Sequence, residues 1–233
     1  MPHEAIGGQI LGLGNASNAI CYNHGRFLPD ALSTLPVDVP LTIINDASTD
    51  DTGALIEALS KERSFKLIDN ERNLNQWASL NKAVEGSDNN LFIVLNADDC
   101  LLEGTIPAII EVFSRFPTVH LVGGGSRPFT TTNELAVGIH ERFTLDPSSI
   151  RIVGPGEASA FRSPSDLNMT MSSCSFTRSA WEAAGGFLPF EKRTCAYDDR
   201  DFQMRVCSLF HIAYIGAVLA LYRSNSSQRR GDQ

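Results

Sequence analysis

The chain has 233 residues, 42% hydrophobic and 20% charged, with a formal net charge of −8. That length can bury a substantial core in one large domain or a domain with an elaborated half. The acidic balance argues against a nucleic-acid binder, which needs a basic footprint, and the odd count of five cysteines, without Cys-x-x-Cys spacing, argues against a disulfide framework or a zinc cage.

In chain order, residues 1–17 are Gly-rich and weakly patterned. Gly12-Leu13-Gly14-Asn15-Ala16-Ser17 faintly resembles a dinucleotide fingerprint, but a real one follows a strand and opens a helix. Residues 18–21 read as a short strand running into the polar turn Tyr22-Asn23-His24-Gly25. Residues 27–35 read as a helix, with Pro29 tolerable in its first turn. Residues 39–44 form a second strand ending in Asn45-Asp46; beyond a polar loop, Asp50 or Asp51 can cap a helix carrying Leu55, Ile56, Ala58 and Leu59. Residues 65–68 make a third strand, and 75–84 a helix with Trp77, Leu80, Ala83 and Val84 at helical spacing. The unbroken apolar run 91–95 reads as a strand buried on both faces. A helix over 105–116 follows, then a fifth strand at 119–122 that Gly123-Gly124-Gly125 stops. Strands alternating with helices imply an α/β fold, a mostly parallel sheet with helices on both faces.

Residues 126–170 have no clear period and read either as a functional loop or as a stretch whose elements the pattern fails to reveal. A helix over 179–184 ends at Gly185-Gly186; 199–210 is an amphipathic helix with Phe202, Val206, Leu209 and Phe210 on one face, and 213–221 is a final strand. The apolar stretch 210–222 is too short to cross a bilayer as a helix, and no basic, apolar leader opens the chain, so no transmembrane segment and a cytoplasmic location are expected. Trp77 and Trp181 read as core residues, His24 as a turn residue and His211 as a strand-edge residue.

Acidic clusters carry the chemistry. In open α/β sheets ligands bind beyond the carboxyl ends of the strands, where Asn96-Ala97-Asp98-Asp99 falls. Adjacent carboxylates repel, and a hard divalent cation offsets that while bridging to substrate phosphates. Asp46, at the second strand tip, can accept from a nucleobase imide or a ribose hydroxyl. Tyr197-Asp198-Asp199-Arg200-Asp201 begins a helix; its acids either cap that helix or include a general base.

With these residues in place the chain resembles the family 2 glycosyltransferases of GT-A fold. The resemblance rests on Ala19-Ile20-Cys21-Tyr22-Asn23, on Asp46-Ala47-Ser48-Thr49-Asp50-Asp51-Thr52, and on Asn73-Leu74 through Ala83. It continues in Leu95-Asn96-Ala97-Asp98-Asp99, Phe176-Thr177-Arg178 through Gly185-Gly186-Phe187, and Asp198-Asp199-Arg200-Asp201-Phe202-Gln203-Met204-Arg205. Their order along one chain, over about residues 18–227, is what makes the set specific.

The resemblance implies a single GT-A domain over 1–233, with a nucleotide-sugar-binding half at about 18–125 and an acceptor-binding half at about 126–227. It implies inverting, hexosyltransferase-type transfer from a UDP-, GDP- or dTDP-type donor to a saccharide or lipid-linked acceptor, in polysaccharide, glycolipid or glycoconjugate synthesis. A lipid-linked acceptor would bring the protein to a membrane surface, and a homodimer stays open. Asp199 would be the catalytic base. Tyr22, Asn23, Asp46, Asn96 and Asp98 would bind the donor, and Asp98 and Asp99 would hold Mg2+ or Mn2+. Asp198, Arg178, Arg223 and Asn225 are candidates for acceptor or diphosphate contacts. The chain departs from the family pattern at Asn45 and Asn96, where many relatives carry Asp, at Asp198, which stands for Glu, and at Asn225, where a His is common. A degenerate sugar-nucleotide-binding protein and a nucleotidyltransferase are the rival readings. The latter usually needs a Gly-rich basic loop, at which only His24-Gly25-Arg26 hints.

Overall fold

The computed structural model describes residues 15–157, 167, 169–195 and 197–224. Their strands form one nine-stranded sheet: β1 (Asn15–Cys21), β2 (Leu41–Asn45), β3 (Lys66–Asp69), β4 (Leu91–Asn96), β5 (Cys100–Leu101), β6 (Val119–Phe129), β7 (Ile150–Val153), β8 (Cys174–Thr177) and β9 (His211–Arg223). The spatial order is β3-β2-β1-β4-β8-β6-β9-β5, with β7 on β9. The ladders β3–β2, β2–β1 and β1–β4 are parallel, as is the long β6–β9 ladder; β8 is antiparallel to both β4 and β6. Asn15–Ser17 lie inside β1 rather than at a helix start, which removes the dinucleotide reading.

The helices are α1 (Leu28–Ser33), α2 (Thr52–Leu59), α3 (Gln76–Glu85), α4 (Thr105–Arg115), α5 (Thr132–Gly138), α6 (Arg178–Ala184) and α7 (Asp198–Leu209). Successive strand side chains point to opposite faces, and the two sides of β1, β2 and β4 meet different partners. Ile20, Ile44, Phe92 and Val94 pack with Leu80 and Val84 of α3 and with Phe202 and Val206 of α7. Ala19, Cys21, Ile43, Ile93 and Leu95 pack with Leu28 and Leu32 of α1, Ile56 of α2 and Ile106 of α4. The run 91–95 is therefore buried on both faces, with helices covering each, and both tryptophans pack against the first cluster.

Three expectations change. Gly123-Gly124-Gly125 do not stop β6, which runs on to Phe129. A Cβ on Gly124 would lie 2.6 Å from Leu219 Cδ1, and one on Gly123 would lie 2.6 Å from Met169 Sδ. These glycines admit close neighbours across a bulged register, which is why they occur inside a strand. Second, 126–170 is not a single loop: α5 and β7 lie within it, while 158–166 and 168 fall outside the described residues. Third, Leu209 is exposed, so the buried face of α7 is carried by Phe202 and Val206.

Candidate functional site

The parallel register places the strand tips side by side. Ile20 of β1 stands beside Asn96 of β4, Cys21 beside Asn45 of β2, and Asn45 beside Asp69 of β3. The residues just past these tips surround a crevice of about 450 Å³ lined by Ile20, Tyr22, His24, Asp46, Asn73, Asn75, Gln76, Asn96 and Asp98. Four expected donor residues, Tyr22, Asp46, Asn96 and Asp98, thus meet in one cavity.

Asp46 is buried, and its Oδ1 accepts from Asn70 Nδ2 at 2.8 Å, Ser79 Oγ at 2.8 Å and the Leu74 amide at 2.9 Å. Oδ2 carries none of these three bonds. Lys82 Nζ donates to Asn70 Oδ1 at 2.7 Å, extending the network toward a second cleft of about 430 Å³ lined by Asp69, Asn70, Glu71, Arg72, Leu74 and Lys82. Ala47, immediately after Asp46, takes a positive φ of 60°, an unfavourable conformation for alanine that turns the chain sharply after this acid.

Asn23 does not line the crevice. Its backbone turns through a φ of 55°; its amide donates to Ser48 Oγ at 3.0 Å, and its Oδ1 accepts from the Thr49 amide at 2.8 Å. It therefore clamps the β1 tip to the β2 tip, which makes it a positioning residue. Tyr22 is 45% exposed and forms the outer lip.

The acids after β4 point in different directions. Asp98 lines the crevice, with Oδ2 3.6 Å from His24 Nδ1. Asp99, 5% exposed, is held inside: Oδ2 accepts from Ser172 Oγ at 2.5 Å and Asn96 Nδ2 at 3.1 Å, and Oδ1 accepts from the Arg223 amide at 3.1 Å. Burial, and next the charge of Asp98, push the Asp99 carboxyl up to about 6, while the Ser172, Arg223 and Asn96 donors act against that rise. Of the two candidate metal ligands, Asp98 lines the cavity, whereas the oxygens of Asp99 accept from protein donors. Asn96 links the two environments, accepting from Gln76 Nε2 at 2.5 Å while donating to Asp99. Among the described residues no three of His, Cys, Asp and Glu are grouped to hold a metal.

Because β8 runs antiparallel to β4, the residues before it return to the β4 tip. The Asn96 amide donates to Ser172 Oγ at 3.1 Å, and Cys174 opens β8. Asp199, half-buried in the first turn of α7, is close enough for its charge to add to burial in raising the Cys174 thiol. Burial raises Asp199 itself, with the Arg200 amide, which it accepts at 2.8 Å, acting in the opposite sense. Asp201 is structural: it accepts from the Thr194 amide and hydroxyl and pairs with Arg205 at 2.8 Å, and Arg205 donates to the Ala184 and Gly186 carbonyls.

Two expected diphosphate residues sit elsewhere. Arg178 donates to the carbonyls of Val84, Ser87 and Asn89 and lies over Phe92, at the amino end of β4, because Leu91 pairs with Thr177. Arg223 stacks its guanidinium 4.1 Å from the Phe27 ring centroid and 4.5 Å from that of Phe129, and pairs with Asp30 at 3.3 Å. Neither reaches the crevice. The Asp198 side chain and Asn225 lie outside the described residues. Sequence reading assigns no site role to Gln76 or Ser172 and marks His24 as a turn residue. His24 adjoins a matched segment and Gln76 lies within one, whereas Ser172 falls just past the aperiodic stretch 126–170 and carries no local signal.

A parallel sheet whose strand tips present acids to one crevice, closed by an antiparallel return strand, is the GT-A architecture. The solved structures agree. TarS 1–349 from S. aureus, in complex with UDP-GlcNAc, superposes with a TM-score of 0.66 at 11% identity, covering 91% of this chain and 59% of that one. The mannosyltransferase PcManGT from Pyrobaculum calidifontis, in complex with GDP-Man and Mn2+, gives 0.61 at 15% identity, covering 93% and 58%. The model of glycosyl transferase family 2 matches residues 20–180, and the chain belongs to that family. Poly-beta-1,6-N-acetyl-D-glucosamine synthase of Staphylococcus epidermidis is 31% identical over 111 residues, and its Staphylococcus aureus (strain COL) counterpart 27%. The matched part is 46% of this chain and 27% of those synthases, so the chain spans only part of its relatives' length. Among the described residues no helix is long and apolar enough to cross a membrane.

Proposed function

We propose that the protein transfers a hexose-type sugar from a nucleoside-diphosphate donor to an acceptor hydroxyl, inverting the anomeric carbon, in cell-wall or related polysaccharide synthesis. The observation that carries this reading is the convergence of Asp46, Asn96 and Asp98 on one crevice at the tips of parallel strands. Asp46 would accept from the nucleobase through Oδ2, since Oδ1 serves Asn70, Ser79 and Leu74. Asn96 would meet the ribose. The two halves, 18–125 for the donor and 126–227 for the acceptor, would be joined by the return of β8 to the β4 tip.

Asp98, buried at the crevice wall, suits a hard or borderline divalent cation, Mg2+ or Mn2+, which would neutralise charge gathering on the departing diphosphate. Asp99 would act by position, keeping Asn96 and the Asp98 turn in place. Asp199 would take the proton of the acceptor hydroxyl as its oxygen attacks the anomeric carbon from the face opposite the diphosphate. One displacement without a covalent sugar–enzyme bond gives inversion. The UDP-GlcNAc and GDP-Man held by the two structural neighbours support a nucleotide sugar, and the similarity to poly-N-acetylglucosamine synthases makes UDP-GlcNAc the donor to test first.

Calorimetry with UDP, GDP and dTDP, each with and without Mn2+, tests the donor site. At least one nucleotide should bind, and more tightly with the cation. Absence of binding under every condition would sink the reading.

A further inference from the structure

We propose that His24 is a protein ligand, alongside Asp98, for the divalent cation of the donor site, and that its imidazole biases the site toward Mn2+ over Mg2+. This rests on the donor-site reading above.

The placement of His24 is built rather than incidental. Asn23, turned through its positive φ and tied to Ser48 and Thr49, delivers the next residue into the crevice. On the other side the Gly25 amide donates to Thr52 Oγ1 at 2.9 Å, and a Cβ on Gly25 would sit 2.6 Å from Thr52 Cα. Only glycine lets the chain lie this close to the start of α2. The imidazole itself rests edge-on to Phe27, with centroids 5.6 Å apart. With the backbone held on both sides and the ring packed against Phe27, His24 loses less freedom when it takes a ligand.

The geometry then points to a shared ion. His24 Nδ1 lies 3.6 Å from Asp98 Oδ2, beyond ordinary hydrogen-bond reach. Two ligand atoms bound to one cation at roughly 2.0–2.2 Å each stand about 3–4 Å apart. The His24 side chain is 37% exposed and lines the crevice, so further positions around such an ion face the cavity where the diphosphate would lie. Mg2+ holds strongly to oxygen ligands, whereas first-row transition ions accept an imidazole nitrogen more readily. One nitrogen in the set therefore shifts preference toward Mn2+.

The test combines spectroscopy and calorimetry on the full chain, with UDP and GDP as probes. Pulsed electron paramagnetic resonance of bound Mn2+, with 15N-histidine protein, should show one directly coordinated imidazole in the wild type and none in His24→Gln. In calorimetry, His24→Gln and His24→Ala should weaken Mn2+-nucleotide binding by at least the roughly 10–100-fold that loss of a ligand's supporting partner costs. Metal-free nucleotide binding should hold, and the Mn2+-over-Mg2+ preference should shrink. If Mn2+-nucleotide binds the wild type without an imidazole signal, or binds the variants equally well, the inference is overturned while the donor site stands. Equal weakening with and without metal would mean that His24 touches the diphosphate directly, which also overturns it. If no nucleotide binds the wild type at all, the donor reading itself has failed. Should either variant not fold, the wild-type spectrum alone decides.

Discussion

Asn96 is an amide where the family resemblance implies an acid, and its contacts give a reason. Its Nδ2 donates to Asp99 Oδ2 at 3.1 Å, so a carboxylate there would face Asp99 charge to charge with the donor removed. Asn96→Asp should therefore lower stability without metal by about 1–3 kcal/mol, the range for leaving a buried acceptor without its donor. Denaturant titration with and without Mn2+ would check this, with the cation expected to recover part of the loss. At Asp199, burial raises the carboxyl above its ordinary value of 3.8, and a base acts in its ionised form. Transfer should fall as pH drops, with a midpoint above 3.8. The stability linked to the Asp199 proton is full below the unfolded value and is lost as pH rises through the folded one. Asp199→Asn should then melt no lower than wild type at neutral pH, bind donor normally, and lose about 10²–10⁴-fold in transfer rate. Unchanged turnover would remove Asp199 from its role.

Among the elements, α3 does most to shape the crevice. Gln76 holds Asn96, Ser79 holds Asp46, and Lys82 holds Asn70. Its entry is set by Asn75, at a φ of 70°, whose side chain accepts from the Trp77 and Ala78 amides at 3.1 Å each. Asn75→Ala removes the cap and forces a Cβ-bearing residue without a compensating bond into the left-handed region, for an expected cost of about 1–2 kcal/mol. Asn75→Gly accepts the same φ and should cost only about a few tenths. Chemical denaturation of the two variants would separate capping from backbone strain, and equal losses would argue against this account. A similar local device was readable in the aperiodic stretch: Thr131 and Glu134 form a reciprocal capping box at the start of α5, a Thr-x-x-Glu pattern that marks a helix start.

For the whole molecule, an aromatic cluster joins β4 and α3 to β8 and α7. Phe176 on β8 lies 5.6 Å from Phe92 on β4, 5.1 Å from Phe202 on α7 and 5.7 Å from Phe187, which in turn lies 5.1 Å from Trp77 on α3. Phe176→Ala should cost about 3–5 kcal/mol, since it empties a fully buried position that three elements share. Phe176→Leu should cost clearly less, and urea midpoints would test the order. Because β8 also positions Ser172 next to Asp99, we expect donor binding to weaken in Phe176→Ala even where the protein remains folded.

What the sequence alone determined was the set of local patterns: the doubly buried strand at 91–95, the amphipathic helices, and the acids waiting at strand ends in family order. Those signals are short-range, because side-chain period and turn chemistry are set by neighbours along the chain. What only the tertiary structure decided was direction and partnership. Asp98 and Asp99 are adjacent and both buried, yet one lines the crevice while the other is held by Ser172 and Arg223, 73 and 124 residues further along. Arg178 falls at the wrong end of β4 for a diphosphate because β8 pairs antiparallel with it, and register between distant strands has no local code. His24, read as a turn residue, lies 3.6 Å from Asp98 only because parallel pairing aligns the tips of β1 and β4.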